Sequence, residues 1–98
     1  MRIITERRLR EFRAVNKEAE NVMRDWIRTV RLADWNTFAD LRNTFNHADI
    51  FKNCTIFDVG GNKYRIIAKV KYKTHSVFIR SVLTHSEYDE KKWQFDCR

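Results

Sequence analysis

The sequence predicts an α+β fold, with helices from the first half packed on one face of an antiparallel sheet and a short helix near the C-terminal end. Three observations predict it. Apolar residues recur at helical spacing in the first half and alternate with period two from about residue 55. Chain punctuation is concentrated at one place, because there is no proline and the only two glycines are adjacent at Gly60-Gly61. Ninety-eight residues with 43% hydrophobic content suit one modest core, so a single domain over residues 1–98 is expected.

Taking the elements in order, Arg2 to Ile4 can form a short strand, and Thr5 can cap a helix from Glu6 to about Val15 with Leu9 and Phe12 facing inward. Asn16 marks a boundary. From Lys17 to about Ala33, the residues Ala19, Val22, Met23, Trp26, Ile27 and Val30 trace one face of an amphipathic helix. Arg24, Arg28 and Arg31 lie off that stripe, as expected for a solvated face. A third helix from about Trp35 to Asn43 would tuck Trp35, Phe38 and Leu41 against the core.

Strands follow from about Thr55 to Val59, Asn62 to Tyr72 and His75 to Thr84. Gly60-Gly61 suits a tight type I′ turn, since both central positions need positive φ. Lys73-Thr74 suits it less, and a four-residue loop there would preserve the pairing parity. With tight turns the expected partners are Phe57 with Tyr64, Ile56 with Arg65, Ile67 with Arg80, Ala68 with Ile79, Lys69 with Phe78 and Val70 with Val77. One face then carries Thr55, Phe57, Val59, Tyr64, Ile66, Ala68, Val70, Val77, Ile79 and Leu83. The other carries Asp58, Lys63, Arg65, Lys69, Lys71, Lys73 and Arg80, with Ile56, Ile67, Phe78 and Val82 among them. A slip of one residue would exchange the two sets, so the register is strongly specified.

Twenty Lys and Arg against thirteen Asp and Glu leave a net charge of +7, which favours a polyanionic partner. No acidic residue occurs between Asp58 and Glu87, and Lys63, Lys69, Lys71 and Lys73 are the candidate RNA-binding lysines of that stretch. The expected register makes Arg65 and Arg80 diagonal neighbours, about 7 to 8 Å apart at the backbone. Two guanidiniums that close repel each other unless an anion lies between them. Thr84 and Glu87 have the spacing of a capping box, which would start a short helix carrying His85, Tyr88 and Asp89 on one side. Free N–H groups at its start would add an anion-binding element.

This set suits RNA cleavage, because RNA carries its own nucleophile in the 2′-hydroxyl. The reaction needs a base, an acid for the leaving 5′-oxygen and cations for the phosphorane, and requires no metal. His85 is the natural proton-transfer group, Tyr88 could orient the 2′-hydroxyl or donate a proton, and Arg65 and Arg80, with Lys69, would hold the phosphate. Cys54, Cys97 and the histidines His47, His75 and His85 show no zinc-ligand spacing, so no metal or cofactor is expected and the cysteines read as two reduced structural thiols. No apolar run resembles a signal peptide or membrane span, so a cytoplasmic location is expected.

The runs Phe57-Asp58-Val59-Gly60-Gly61-Asn62-Lys63-Tyr64-Arg65-Ile66-Ile67 and Val77-Phe78-Ile79-Arg80-Ser81-Val82-Leu83-Thr84-His85-Ser86-Glu87-Tyr88-Asp89 resemble the signature of HigB-type toxins, a branch of the RelE/ParE superfamily. The resemblance extends over nearly the whole chain. It implies a RelE-like small domain acting as the toxin of a type II toxin–antitoxin system, an endoribonuclease (mRNA interferase) that cuts codons on the ribosome. It further implies a HigA-like antitoxin partner with a helix-turn-helix domain, held in a toxin–antitoxin hetero-oligomer. Arg65, Arg80, His85 and Tyr88 match the positions that the resemblance expects to bind or cleave RNA.

Two other functions compete. A non-enzymatic RNA-binding module would display two or three stacking aromatics, whereas only Phe78 lies on the expected basic face. A ParE-like toxin acting on a DNA-handling protein would not need the His85 and Tyr88 pair. No helix-turn-helix spacing supports a DNA-binding regulator.

Overall fold

The computed structural model describes residues 1–98. In chain order the elements are β1 (Arg2–Ile4), α1 (Arg7–Val15), a 3-10 turn (Lys17–Ala19), α2 (Glu20–Leu32), α3 (Phe38–Thr44), β2 (Asp49–Phe51), β3 (Cys54–Val59), β4 (Tyr64–Lys71), β5 (Ser76–Thr84), α4 (His85–Asp89) and a 3-10 segment (Lys92–Asp96). The five strands form one sheet in the order β1-β5-β4-β3-β2. It is mixed, because β1 runs parallel to β5 while every other pair is antiparallel. No helix is long and apolar enough to cross a membrane.

The apolar stripe of α2 does what its spacing requires: Ala19, Met23, Trp26, Ile27 and Val30 are all buried against the sheet. Arg24 and Arg31 stay outside, paired with Glu20 at 2.9 Å and Glu6 at 2.7 Å. Thr5 does not cap α1, because it adopts a left-handed φ of 73° and the cap position falls to Glu6, whose side chain reaches Arg31 instead. The third helix starts later than its apolar pattern suggests. Thr37 and Asp40 form a capping box that opens α3 at Phe38, leaving Trp35 buried ahead of it with its indole N–H donating to Thr44 Oγ1 at 3.0 Å. At the centre of this core Phe57 meets Trp26 edge-on at 5.2 Å and Phe45 at 5.3 Å.

Strand β2 was not anticipated. It is three residues long and joins β3 through Lys52 and Asn53, with Lys52 in a left-handed conformation. The hairpin between β3 and β4 is wider than expected. Gly60, Gly61 and Asn62 are all left-handed, Asp58 Oδ1 accepts the Asn62 N–H at 3.0 Å, and the pair closing the loop is Val59 with Tyr64. Phe57 therefore faces Ile66 and Ile56 faces Ile67. The shift is two residues, so the faces of both strands are conserved.

Between β4 and β5 the register follows expectation from Lys71–Ser76 to Ala68–Ile79, and then a bulge intervenes. Ile67 pairs with Ser81, leaving Arg80 as the extra residue rather than the partner of Ile67. Beyond it the parity of β5 is inverted. Val82, expected on the basic face, packs against the main core, while Leu83, expected in the core, lies on the opposite side.

That opposite side is not bare. After α4, Lys91 turns the chain at a left-handed φ of 64°, and residues 92–98 run back across the sheet as a strap. Trp93 packs there with Ile56, Ile67, Cys54 and Cys97 as a second, smaller apolar cluster, with Leu83 and Tyr88 at its margin. Cys54 and Cys97 are joined in a disulfide across a sequence separation of 43, not two free thiols. The two cysteines show no local spacing, and only the return of the strap beside β3 brings them together.

Candidate nucleic-acid interface

Strand β5 and the capped start of α4 position the first part of the site. Thr84 pairs with Tyr64, the first residue of β4, and then becomes the N-cap of α4. Its Oγ1 accepts the Glu87 N–H at 3.3 Å and its own N–H donates to Glu87 Oε1 at 2.9 Å, the predicted capping box. The His85 N–H donates to the Lys63 carbonyl at 2.9 Å, which ties the helix to the β3–β4 loop. These bonds occupy the Glu87 and His85 N–H groups, two of the donors expected to be free for an anion.

Arg65 projects from β4 on the side away from the helices. One Nη1 lies 3.3 Å from Asp58 Oδ1 and also donates to the Tyr64 carbonyl, while Nη2 donates to Asn62 Oδ1 at 3.4 Å. The guanidinium carbon sits 4.8 Å from the centroid of the Tyr88 ring, a cation–π contact. Tyr64, its neighbour in sequence, points the other way into the core. Burial, with Glu18 nearby, pushes its hydroxyl above the ordinary range, so it holds its proton.

His85 lies one turn before Tyr88 and Asp89 on α4. Asp89 Oδ2 is 3.3 Å from His85 Nε2, which favours a proton on that nitrogen and leaves Nδ1 free to accept one. Both side chains are exposed, so this imidazole is open to a substrate.

Arg80 stands apart. The bulge moves it to about 10 Å from Arg65 at the backbone by ordinary strand spacing. Asp96 of the strap takes its Nε and, at 2.8 Å, its Nη2 in a bidentate pair. That hydrogen bonding raises the guanidinium pKa and holds the Asp96 carboxyl below the usual carboxylate range. Each arginine thus has its own carboxylate, Asp58 or Asp96, and the expected diagonal pair needing an anion between its members does not form.

The lysines do not cluster either. Lys63 lies beside the start of α4, through its carbonyl bond to His85, whereas Lys71 is about 25 Å further along the chain by the rise per residue of β4. Lys71 Nζ sits over the Phe78 ring at 5.8 Å, Lys69 faces Asp96, and Lys73 is exposed in the β4–β5 loop. They form a track leading away from the Arg65, Tyr88 and His85 group. Sequence reasoning missed Asp58 and Asp96 as arginine partners and Trp93 as the neighbour of Tyr88. The Tyr88 and Trp93 rings are stacked with centroids 5.2 Å apart and planes 8° from parallel. No three His, Cys, Asp or Glu side chains gather anywhere.

These features define a class: a small basic α+β protein presenting an arginine, a tyrosine and a histidine at the junction of its last strand and last helix. The chain belongs to the HigB toxin family, the RelE-like toxic component of a toxin–antitoxin system, whose family model matches residues 19–91. It is 32% identical over 66 residues to the mRNA interferase HigB of Escherichia coli O6:H1, a match covering 64% of each chain. It is also 40% identical over 52 residues to the mRNA interferase toxin HigB of Escherichia coli K12 and to the mRNA interferase HigB of Shigella flexneri, covering 50% of each chain. The chain thus spans between 50% and 64% of the length of these curated relatives.

Proposed function

We propose that this chain is the toxin of a type II toxin–antitoxin pair and an endoribonuclease that cleaves messenger RNA on the ribosome without a metal ion, halting translation. The observation that carries the reading is the Arg65 guanidinium over the Tyr88 ring, with His85 one turn away on the same capped helix. The names of the similar E. coli and Shigella proteins support it.

The chemistry is a displacement at phosphorus in which the 2′-oxygen forms the new P–O bond and the 5′-oxygen leaves. His85 Nδ1 takes the 2′-hydroxyl proton as the new P–O bond forms, the Tyr88 hydroxyl gives its proton to the leaving 5′-oxygen, and the edge of Arg65 not held by Asp58 stabilises charge on the phosphorane. The lysines Lys63, Lys69, Lys71 and Lys73 hold flanking phosphates. The protein works in the cytoplasm, and its antitoxin is a HigA-like helix-turn-helix protein bound in a hetero-oligomer.

The test is induction of the chain alone, followed by primer extension on a translated message and analysis of the fragment ends. Growth arrest with cut message whose downstream fragments carry 5′-hydroxyl ends is expected. His85→Ala should lower cleavage by about 10² to 10⁴-fold, and Arg65→Ala by about 10² to 10³-fold, with far-UV circular dichroism unchanged. Downstream fragments with 5′-phosphate ends overturn the 2′-hydroxyl mechanism, and arrest without cut RNA turns the assignment toward a ParE-like toxin.

A further inference from the structure

Helix α4 has five residues, none of them buried, and a helix that short does not hold its shape by its own hydrogen bonds. Something else must fix the Tyr88 ring. One contact is Arg65, and the other is Trp93 of the strap, stacked on the ring at 5.2 Å. The Trp93 indole N–H also donates to the Tyr88 carbonyl at 3.0 Å, beside the Lys91 N–H at 3.1 Å, which ties the strap to the end of α4. Trp93 itself is 7% exposed and packs edge-on against Phe51 at 5.4 Å.

The strap is held at its far end as well. Cys97 is bonded to Cys54, the Asn53 N–H donates to the Arg98 carbonyl at 3.0 Å, and Asn53 Oδ1 accepts the Arg98 N–H at 2.9 Å. Between these anchors Asp96 grips Arg80. The strap lies beyond residues 19–91, the stretch matched by the family model, so the fixation of Tyr88 here comes from a segment outside that match.

We propose that Trp93 is a positioning residue: the disulfide-anchored strap acts through it to hold Tyr88 in register with Arg65 and His85 for RNA cleavage. This rests on the nuclease reading above, in which Tyr88 meets the substrate. Trp93 touches no substrate, and its loss leaves Arg65 and the lysine track in place, so it affects turnover rather than RNA affinity. Reduction has the same effect by a different route. A dithiol reductant supplies two electrons and two protons, the Cys54–Cys97 bond becomes two thiols, the dithiol closes to its own disulfide, and the strap loses its covalent anchor.

The experiment compares oxidised wild type, Trp93→Ala, Trp93→Phe and wild type equilibrated with excess dithiothreitol, the last replaced for nitration by a Cys54→Ser, Cys97→Ser variant because tetranitromethane oxidises thiols. It measures cleavage kinetics of a message on translating ribosomes and, independently, nitration of Tyr88 by tetranitromethane read by mass spectrometry. Trp93→Ala should lower kcat by about 10²-fold, the scale of a reacting group misplaced by 1 Å, with KM for RNA little changed. Trp93→Phe, which keeps a ring but loses the N–H donor, should recover much of it. Tyr88 should nitrate faster in Trp93→Ala and in the Cys54→Ser, Cys97→Ser variant than in oxidised wild type.

Unchanged kcat in Trp93→Ala, or equal nitration across the set, overturns the proposal. Faster cleavage after reduction also overturns it, because the strap would then be an inhibitor that blocks Arg80 through Asp96. If oxidised wild type cuts no RNA, the nuclease reading fails, and the nitration series still decides whether Trp93 fixes Tyr88. Should Trp93→Ala fail to fold, reduced wild type supplies the same kinetic comparison without a substitution.

Discussion

Breaking the Cys54–Cys97 bond perturbs this protein more than any single surface substitution would. The bond closes a loop with a sequence separation of 43, and the chain-entropy relation assigns such a loop about 4 kcal/mol at 25 °C through restriction of the unfolded ensemble. The whole folding free energy of a domain this size is about 5 to 15 kcal/mol, so the cross-link is a substantial fraction of it. At about 4 to 8 °C per kcal/mol for a chain near this length, the melting temperature should fall by about 15 to 30 °C. The assay has two parts. Thermal melts followed by far-UV circular dichroism compare the oxidised protein with protein reduced by dithiothreitol and held reduced. Thiol titration in guanidinium should find none before reduction and two after it. Two titratable thiols without reduction, or melting temperatures within about 3 °C of each other, a difference of under 1 kcal/mol, would refute the reasoning.

Two further perturbations test the site's supports. Thr84→Ala removes the acceptor for the Glu87 N–H and should cost about 0.5 to 2 kcal/mol in urea unfolding, while also slowing cleavage because α4 carries both His85 and Tyr88. Asp96 tests the acid limit. Its carboxyl is held below its unfolded value, chiefly by hydrogen bonding to Arg80, so its contribution is present above about pH 4 and is lost as pH falls through the folded value. The pair is more than one-third exposed, which limits that contribution to about 1 kcal/mol or less. The urea midpoints of wild type and Asp96→Asn should therefore differ at pH 6 and converge toward pH 2, and a difference that persists at pH 2 would place its origin elsewhere.

What could be read from the sequence was mainly what neighbouring residues decide. The α2 stripe from Ala19 to Val30 and the Thr84–Glu87 capping box depend on residues within a turn or two, and both are present. The sheet faces were legible for a subtler reason. The β3–β4 loop holds four residues rather than two, yet an even shift leaves every side chain of those strands on its own side. The bulge at Arg80 has no such protection, because one extra residue inverts parity and exchanges Val82 with Leu83. Nothing in Ile79-Arg80-Ser81 announces it. The strap contacts were illegible for a different reason: Asp96 with Arg80 and Cys97 with Cys54 are joined by tertiary folding, at separations where spacing carries no signal.

The bulge also explains why the basic face is not a uniform phosphate surface. Without it, Leu83 would face the helices and the far side of β5 would present Arg80 and Val82 beside Arg65. With it, Leu83 joins Ile56 and Ile67 to make an apolar floor, and that floor has to be covered. Trp93 covers it and carries Asp96 and Cys97 with it, which places a carboxylate on Arg80 and an indole on Tyr88. One extra residue in β5 therefore divides the face in two. At one end Arg65, held by Asp58, stacks on Tyr88 beside the exposed His85 and Lys63. At the other Arg80 is occupied by Asp96, so an anion arriving at this surface meets His85 and Lys63 first, at the junction of β5 and α4.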